Sequence, residues 1–368
     1  MTDAALLFNE LTLQRYPVSS DASLTAFSQA EVLLAKKLDE QFNQVSLSII
    51  NENFGALSCV FNEKIQDSYN DSFLSQCATS INIEANQKKS IELNNDLSAL
   101  KGDVIAGLIP KSLSFFQWQL EKLSQLNRPI VLAGMVKYIS NGHIDLMNRY
   151  FESIDVSRAE KKARCMILSE PKQQSISQKN PSLEYNGVQL NNLPGVFCQK
   201  HIDIGARFFI ENFKKIETHN QAKIADLGCG NGILSLLMAN MTKAHALDFV
   251  LFDESKQAVD CAKQNWMLNK FDESAHSAQF IQNDGLLNQE AQSFDFILCN
   301  PPFHQNHTVG IHITQSLIKQ ANFSLKSDGQ FWVIANRQLP YLGELKSHFK
   351  DVKLVNQNAK FKIFVAYN

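Results

Sequence analysis

Residues 223–241 read KIADLGCGNGILSLLMANM. Lys223 to Asp226 has the character of a short strand and Ile233 to Met241 that of an apolar helix, with glycines at 228, 230 and 232 between them. Glycine there lets the main chain turn tightly and leaves the N–H groups of a helix N-terminus open to a ligand. Working outward, Ala246 to Phe252 reads as a strand and Ser255 to Asn269 as a helix opened by a serine cap, which completes a βαβ unit. Strands at Ala278–Gln282, Phe294–Cys299, Gln330–Ala335, Val352–Val355 and Phe361–Ala366, and a helix from Ile311 to Leu325, continue the pattern. Such alternation implies an α/β fold with a largely parallel sheet covered on both faces.

A glycine-rich turn alone says little about its ligand, but Asp253 closes the next strand, where a carboxylate can accept hydrogen bonds from both hydroxyls of a ribose. The dinucleotide fingerprint G-x-G-x-x-G fails: from Gly228 the third glycine falls at 232, and Ile occupies 233. Asp226 leads the loop, and beside a pyrophosphate it would be repelled, whereas it suits the ammonium of an amino-acid end. The pattern therefore favours S-adenosylmethionine over a nicotinamide cofactor, with Asp226, Gly228, Gly230, Gly232 and Asp253 as its contacts. Asn283 and Asp284, after the third strand, are placed to hydrogen-bond an adenine.

Asn300-Pro301-Pro302-Phe303 follows the apolar strand FDFILC at the edge where open α/β sheets bind ligands. The two prolines fix the backbone and remove two N–H donors, so the Asn300 side-chain oxygen and the Pro301 carbonyl can act as convergent acceptors for an exocyclic amine. Phe303 offers a face on which a planar base can stack. Asparagine takes no proton at neutral pH, so orientation and desolvation, and no general base, would carry the reaction. Asn336 and Arg337 end a strand on the same edge and Lys360 begins the last one, which makes them candidates for base or phosphate contacts.

The first half repeats the theme in damaged form. Ser46 to Ile50 leads into NENFGALS as the second half's strand leads into GCGNGILS, with Gly55 to Ser58 matching Gly232 to Ser235. Asp103 to Pro110 echoes Asp295 to Pro302, and Asp67-Ser68 is read as the echo of Asp253-Glu254-Ser255. Three echoes in one order imply duplication. Asn51 stands where the cofactor loop has glycine, and Leu108 and Ile109 stand where the other half has Asn and Pro, so a second working site is not expected.

The totals agree with two domains: 368 residues, 44% hydrophobic and 20% charged, with a net charge of -2. Residues 1–170 carry 16 basic and 20 acidic side chains and the remainder 19 and 17, so any nucleic-acid contact needs a local basic face. No apolar run approaches a membrane span, no secretory signal opens the chain, and the seven scattered cysteines lack C-x-x-C spacing, from which a cytoplasmic protein is expected. The polar stretch EPKQQSISQKNP, residues 170–181, reads as a linker.

The second half resembles the class I S-adenosylmethionine-dependent methyltransferases, and within them those with an Asn-Pro-Pro-Phe/Tyr motif that modify planar amide or amino nitrogens. LTLQRYP at 11–17, NENFGALSC at 51–59, LPGVFCQKHIDIGARFF at 193–209, CNPPFHQNH at 299–307 and VIANR at 333–337 extend the likeness over the whole length, to the bacterial ribosomal RNA large subunit methyltransferase G family. That resemblance implies two tandem Rossmann-like domains: a degenerate one over 1–170 that binds substrate RNA, a linker over 171–182 and a catalytic one over 183–368. It implies methylation of guanine N2 in 23S rRNA, naked or in a ribosomal assembly particle, with Asn300 to Phe303 as the catalytic motif. Residue chemistry alone leaves open adenine N6, protein glutamine N5, or a non-catalytic assembly factor.

His304, His307 and His312 invite a metal reading, but no carboxylate or cysteine lies among them and methyl transfer requires no metal, so none is expected. Arg158, Lys161, Lys162 and Arg164 form a basic run suited either to phosphates or simply to solvent.

Overall fold

The structure is a computed structural model that describes residues 4–18, 21, 23–172, 180–301 and 307–368. It divides into two compact units, Met1–Lys179 and Asn180–Asn368. In the first, helices α1 (Ala4–Asn9) and α2 (Gln29–Gln41) precede β1 (Leu47–Ile50), α3 (Ala56–Val60), β2 (Ile65–Tyr69), α4 (Phe73–Ala85) and β3 (Glu92–Asn94). There follow β4 (Val104–Leu108), α5 (Leu113–Ser124), β5 (Ile130–Met135), α6 (Asn141–Tyr150) and the hairpin β6 (Phe151–Val156) and β7 (Ala163–Pro171).

The second unit opens with a hairpin, β8 (Ser182–Tyr185) and β9 (Val188–Asn191), and α7 (Ile204–Ile210). Its sheet region runs β10 (Lys223–Leu227), α8 (Ile233–Met241), β11 (Asp248–Asp253), α9 (Lys256–Leu268), β12 (Ser277–Gln282) and β13 (Phe294–Cys299). It closes with α10 (His307–Ser324), β14 (Leu325–Asn336), α11 (Tyr341–His348), β15 (Asp351–Gln357) and β16 (Phe361–Tyr367).

Each unit is a seven-stranded mixed sheet, and the two strand orders correspond one for one: β3-β2-β1-β4-β5-β7-β6 and β12-β11-β10-β13-β14-β16-β15. Five strands are parallel and the last hairpin antiparallel. Burial on both faces explains the continuous apolar runs. In β13 every residue is buried, with Phe296 and Leu298 packing into one core beside α8 and Ile297 and Cys299 into the other beside α10.

The duplication extends to individual side chains. Asp103 and Asp295 each accept the backbone N–H that begins the first sheet strand, from Ser46 at 3.1 Å and Lys223 at 2.8 Å. Asn82 on α4 and Asn265 on α9 each donate to the carbonyl just before the helix-opening glycine, Phe54 at 2.7 Å and Asn231 at 3.0 Å. The same two asparagines accept the N–H of Gln14 and Asn191, while Asn86 and Asn269 pair with the backbone of Thr12 and Gln189. LTLQRYP and VQLNNLP, residues 11–17 and 188–194, are therefore matching straps on matching helices.

One echo is corrected. Asp67 lies inside β2, fully buried, accepting hydrogen bonds from Ser48 Oγ, Asn94 Nδ2 and the Lys101 N–H. The counterpart of Asp253-Glu254-Ser255 is Asn70-Asp71-Ser72: Asn70 accepts the Ser72 N–H as Asp253 accepts that of Ser255, and Ser72 and Ser255 cap α4 and α9. An Asp-Ser string by itself does not distinguish a strand interior from a helix entry.

Two boundaries and one hairpin also differ from expectation. Ala246 takes a left-handed turn (φ 56°), so β11 starts at Asp248. Helix α10 passes directly into β14 at Leu325, and the register with β13 shifts between Phe294 and Phe296 before regular pairing resumes at Gln330. The β8–β9 hairpin was not anticipated, although its turn is Asn186-Gly187 with both residues at positive φ, flanked by alternating side chains.

Candidate active site

Leu227 lies level with Phe252 on one side and Cys299 on the other, so the loops after β10, β11 and β13 open at one edge of the sheet. The glycine loop folds back over β11, its Gly228 and Cys229 N–H groups both donating to the Phe252 carbonyl at 2.9 Å. Gly228 and Gly230 adopt positive φ and a Cβ on either would point into open space, so the main chain there is open to a ligand. Gly232 is required for a different reason: α9 crosses so closely that a Cβ there would lie 3.1 Å from the Ala262 Cβ.

Asp226 is fully buried beneath this loop. Its Oδ2 accepts from Ser235 Oγ at 2.7 Å and from the Ser235 N–H at 3.2 Å, bracing the first turn of α8, while Oδ1 is buried with no hydrogen-bond partner. Burial pushes the carboxyl up to about 6 against the Ser235 bonds, and the nearby Asp253 charge adds to the rise. A buried acceptor left without a donor is costly unless a ligand completes it.

Asp253 accepts the Gly230 N–H at 2.9 Å through Oδ2 and the Ser255 N–H at 3.0 Å through Oδ1, so it ties the glycine loop to the start of α9. A carboxylate oxygen can accept a second bond, which keeps a ribose contact chemically open. Asn283 is nearly buried and its Nδ2 is committed to the Gly285 and Leu287 carbonyls. Its amide thus braces the loop that presents Asp284.

Asn300 sits one residue beyond β13, half-buried, with Oδ1 buried and unpartnered, and Pro301 is buried next to it. Pro302, Phe303 and His304 lie outside the described residues, as do the side chains of His307 and His312. Asn336, Arg337 and Lys360 come together at the end of β14: the Arg337 N–H donates to the Lys360 carbonyl at 2.8 Å, and Asn336 Oδ1 accepts the Gln338 N–H. Among the described residues no group of His, Cys, Asp and Glu could hold a metal ion, and no helix is long and apolar enough to cross a membrane.

Two further residues contribute to the site. Asn192, fully buried, accepts from Asn231 Nδ2 at 2.8 Å and so ties the strap after β9 to the glycine loop. Asp203 caps α7 through the Ala206 N–H at 2.9 Å and accepts from Asn300 Nδ2 at 3.5 Å.

The matching place in the first unit is filled by its own side chains. Ile49 and Asn51 stand at the positions of Asp226 and Gly228, and Asn51 Nδ2 donates to the Leu108 carbonyl and Gln119 Oε1, both at 2.9 Å. Glu52 turns inward to bond the N–H and Oγ of Ser58, as Asp226 bonds Ser235. Burial pushes Glu52 and the neighbouring Glu31 each up to about 7. The open glycine loop with the Asp226 Oδ1 and Asn300 Oδ1 acceptors suits a ligand with a cationic amino-acid end and an amine acceptor, whereas in the first unit the Asn51 side chain occupies the corresponding loop and Leu108 replaces the amide, although Glu31 Oε1 is there likewise buried without a hydrogen-bond partner.

Comparison with known proteins agrees with this division. The RLMG N-terminal domain family matches residues 1–173 and the Methyltransferase small domain family residues 187–365. A ribosomal RNA large subunit methyltransferase G of Psychromonas ingrahamii is 32% identical over 97% of this chain and 96% of its own. The chain belongs to the ribosomal RNA large subunit methyltransferase G family. Members from Pseudoalteromonas translucida and Pseudomonas fluorescens are 34% and 33% identical, covering 96% and 98% of the chain and 95% and 98% of their own. A solved T. thermophilus 16S rRNA N2-guanine methyltransferase, in complex with S-adenosylmethionine and guanosine, matches 98% of the chain and 99% of its own. With a TM-score of 0.76 at 20% identity, it shares the fold.

Proposed function

We propose that the chain transfers a methyl group from S-adenosylmethionine to the exocyclic N2 amine of a guanine in 23S rRNA, naked or in an assembling particle. The observation that carries the reading is the buried Asn300 Oδ1, without a hydrogen-bond partner among the described residues, at the same sheet edge as the glycine loop. The family relatives named as large-subunit rRNA methyltransferases support it, as does the guanosine in the T. thermophilus structure.

When bound, S-adenosylmethionine supplies an electrophilic methyl group. Asp226 Oδ1 would take its ammonium, the loop at Gly228 and Gly230 would admit it against the main chain, and Asp253 and the Asn283-Asp284 loop would hold its nucleoside end. Asn300 Oδ1 and the Pro301 carbonyl accept the two N–H groups of the target amine, which turns the nitrogen lone pair toward the methyl carbon. Pro302 and Phe303 follow in the sequence, and an aromatic residue in that motif suits a planar base. The amine, once methylated, would be acidic enough to lose its proton to water, so no side chain of the corner is required to act as a base. Asn300 remains neutral throughout, so the chain contributes orientation and desolvation.

We infer that the first unit holds RNA at its own strand-end edge. Lys111 and Lys137 lie over the exposed Tyr138 ring at 4.4 and 4.6 Å, on the loops after β4 and β5 that correspond to those carrying Phe303 and Arg337. Residues 108–116 and 135–144 contain no carboxylate, in a half that is acidic overall. Two cations and an aromatic face suit phosphates and an unpaired base. Arg158, Lys161, Lys162 and Arg164 are all exposed nearby in sequence, and the Lys162 carbonyl accepts the Val136 N–H, which brings their hairpin to the same edge.

Asn300→Ala tests the core of the reading. Cofactor binding should persist while turnover on rRNA falls by orders of magnitude; unchanged turnover would remove Asn300 from the chemistry.

A further inference from the structure

We propose that Asp203 is a positioning residue that fixes which way the Asn300 carboxamide faces; the inference rests on the role of Asn300 given above. An asparagine amide is nearly symmetric in shape, yet only one of its ends can accept a hydrogen bond from a substrate amine. If the amide turned over, Nδ2 would face the incoming N–H groups and repel them.

Asp203 removes that option. It is held in place as the cap of α7, with Oδ2 accepting the Ala206 N–H at 2.9 Å and its carbonyl accepting the Arg207 N–H at 2.9 Å. The same Oδ2 lies 3.5 Å from Asn300 Nδ2. A carboxylate oxygen accepts hydrogen bonds, so it attracts the NH2 end and repels the oxygen end. The oxygen is thereby left buried and without a partner among the described residues. At 3.5 Å the contact is long, as catalytic hydrogen bonds often are before substrate binds.

The duplicated unit provides an internal comparison. There the cap of the corresponding helix α2 is Ser28, and the residue in the place of Asn300 is Leu108. Ser and Asp cap helices about equally well, so capping alone does not call for a carboxylate at 203. The acid and the amide are present together in one unit and absent together from the other.

The test is a double-mutant cycle on the full chain, with protein-free 23S rRNA as substrate and labelled S-adenosylmethionine as donor. Asp203→Ser retains a capping oxygen. Asp203→Asn retains the cap but offers a donor as well as an acceptor, so either orientation of Asn300 is satisfied. Both variants should keep the thermal midpoint, the cofactor affinity and the KM for RNA, and lose about 10- to 100-fold in kcat, the scale of a misplaced reacting group. In an Asn300→Ala background Asp203→Ser should cause no further loss, because nothing remains to orient.

Full kcat in Asp203→Ser alongside an inactive Asn300→Ala would overturn the positioning role and leave the role of Asn300 intact. An active Asn300→Ala would instead overturn the reading beneath it. A fall in cofactor affinity would make Asp203 a cofactor contact, and losses that add across the cycle would reduce it to a helix cap; either result refutes the proposal.

Discussion

Asp226→Asn separates what the buried carboxylate costs the free protein from what it gives to binding. Burial raises the carboxyl from 3.8 to about 6, so at pH 8 the charged form is about 3 kcal/mol less favourable in the folded chain than in the unfolded one. The sign follows from the raised pKa: below about pH 3.8 both states are protonated and the cost is absent, it grows between about pH 3.8 and 6, and it is complete above about 6. Asparagine keeps an oxygen for Ser235 and removes the charge. The variant should therefore be more stable at pH 8, by about 3 kcal/mol at most, with the gain vanishing toward pH 4. Cofactor affinity should move oppositely, because the ammonium loses a buried counter-charge, a change worth about 2–5 kcal/mol. Thermal unfolding and calorimetric titration with S-adenosylmethionine at pH 8 and pH 5 read both effects. Wild-type affinity should itself weaken as pH falls through about 6, and the variant's should not. A variant that is less stable at pH 8, or that binds the cofactor as tightly as the wild type there, would refute the reasoning.

Glu52→Gln is the companion case in the unit that has lost its site: its gain in stability over the wild type should grow between about pH 4.5 and 7 and level off above that, with no gain below about 4.5 and no change in cofactor affinity at any pH. Unfolding midpoints across that range check it, and an altered affinity would mean the first unit still takes part in cofactor binding. Lys111→Ala combined with Lys137→Ala should weaken RNA binding while leaving cofactor binding intact. It should also flatten the salt dependence of RNA binding by about 0.7 per lost phosphate contact. An unchanged slope in a filter-binding titration would move the RNA away from that edge.

The second unit was readable because its strands are covered on both faces, so they stand out as apolar runs bounded by turn residues, and because Gly228, Gly230 and Gly232 punctuate one strand-to-helix turn. The duplication was readable in outline, but Asp67-Ser68 misled, since composition does not reveal that Asp67 is buried in mid-strand. The asparagine straps were invisible for another reason. Asn265 and Asn269 lie on a helix with ordinary apolar periodicity, and the backbone they clamp is more than 70 residues away in the chain. Asp203 is likewise 97 residues from Asn300, and the capping role that a sequence could suggest for it conceals the second contact. Asn283 illustrates the converse: its position after β12 was legible, whereas the commitment of its amide to the Gly285 and Leu287 carbonyls follows from how the loop curls.

The most direct test of the account is to supply labelled S-adenosylmethionine with protein-free 23S and 16S rRNA and identify the methylated nucleoside. The account predicts N2-methylguanosine in 23S rRNA alone. N6-methyladenosine, or N2-methylguanosine confined to 16S rRNA, would contradict it.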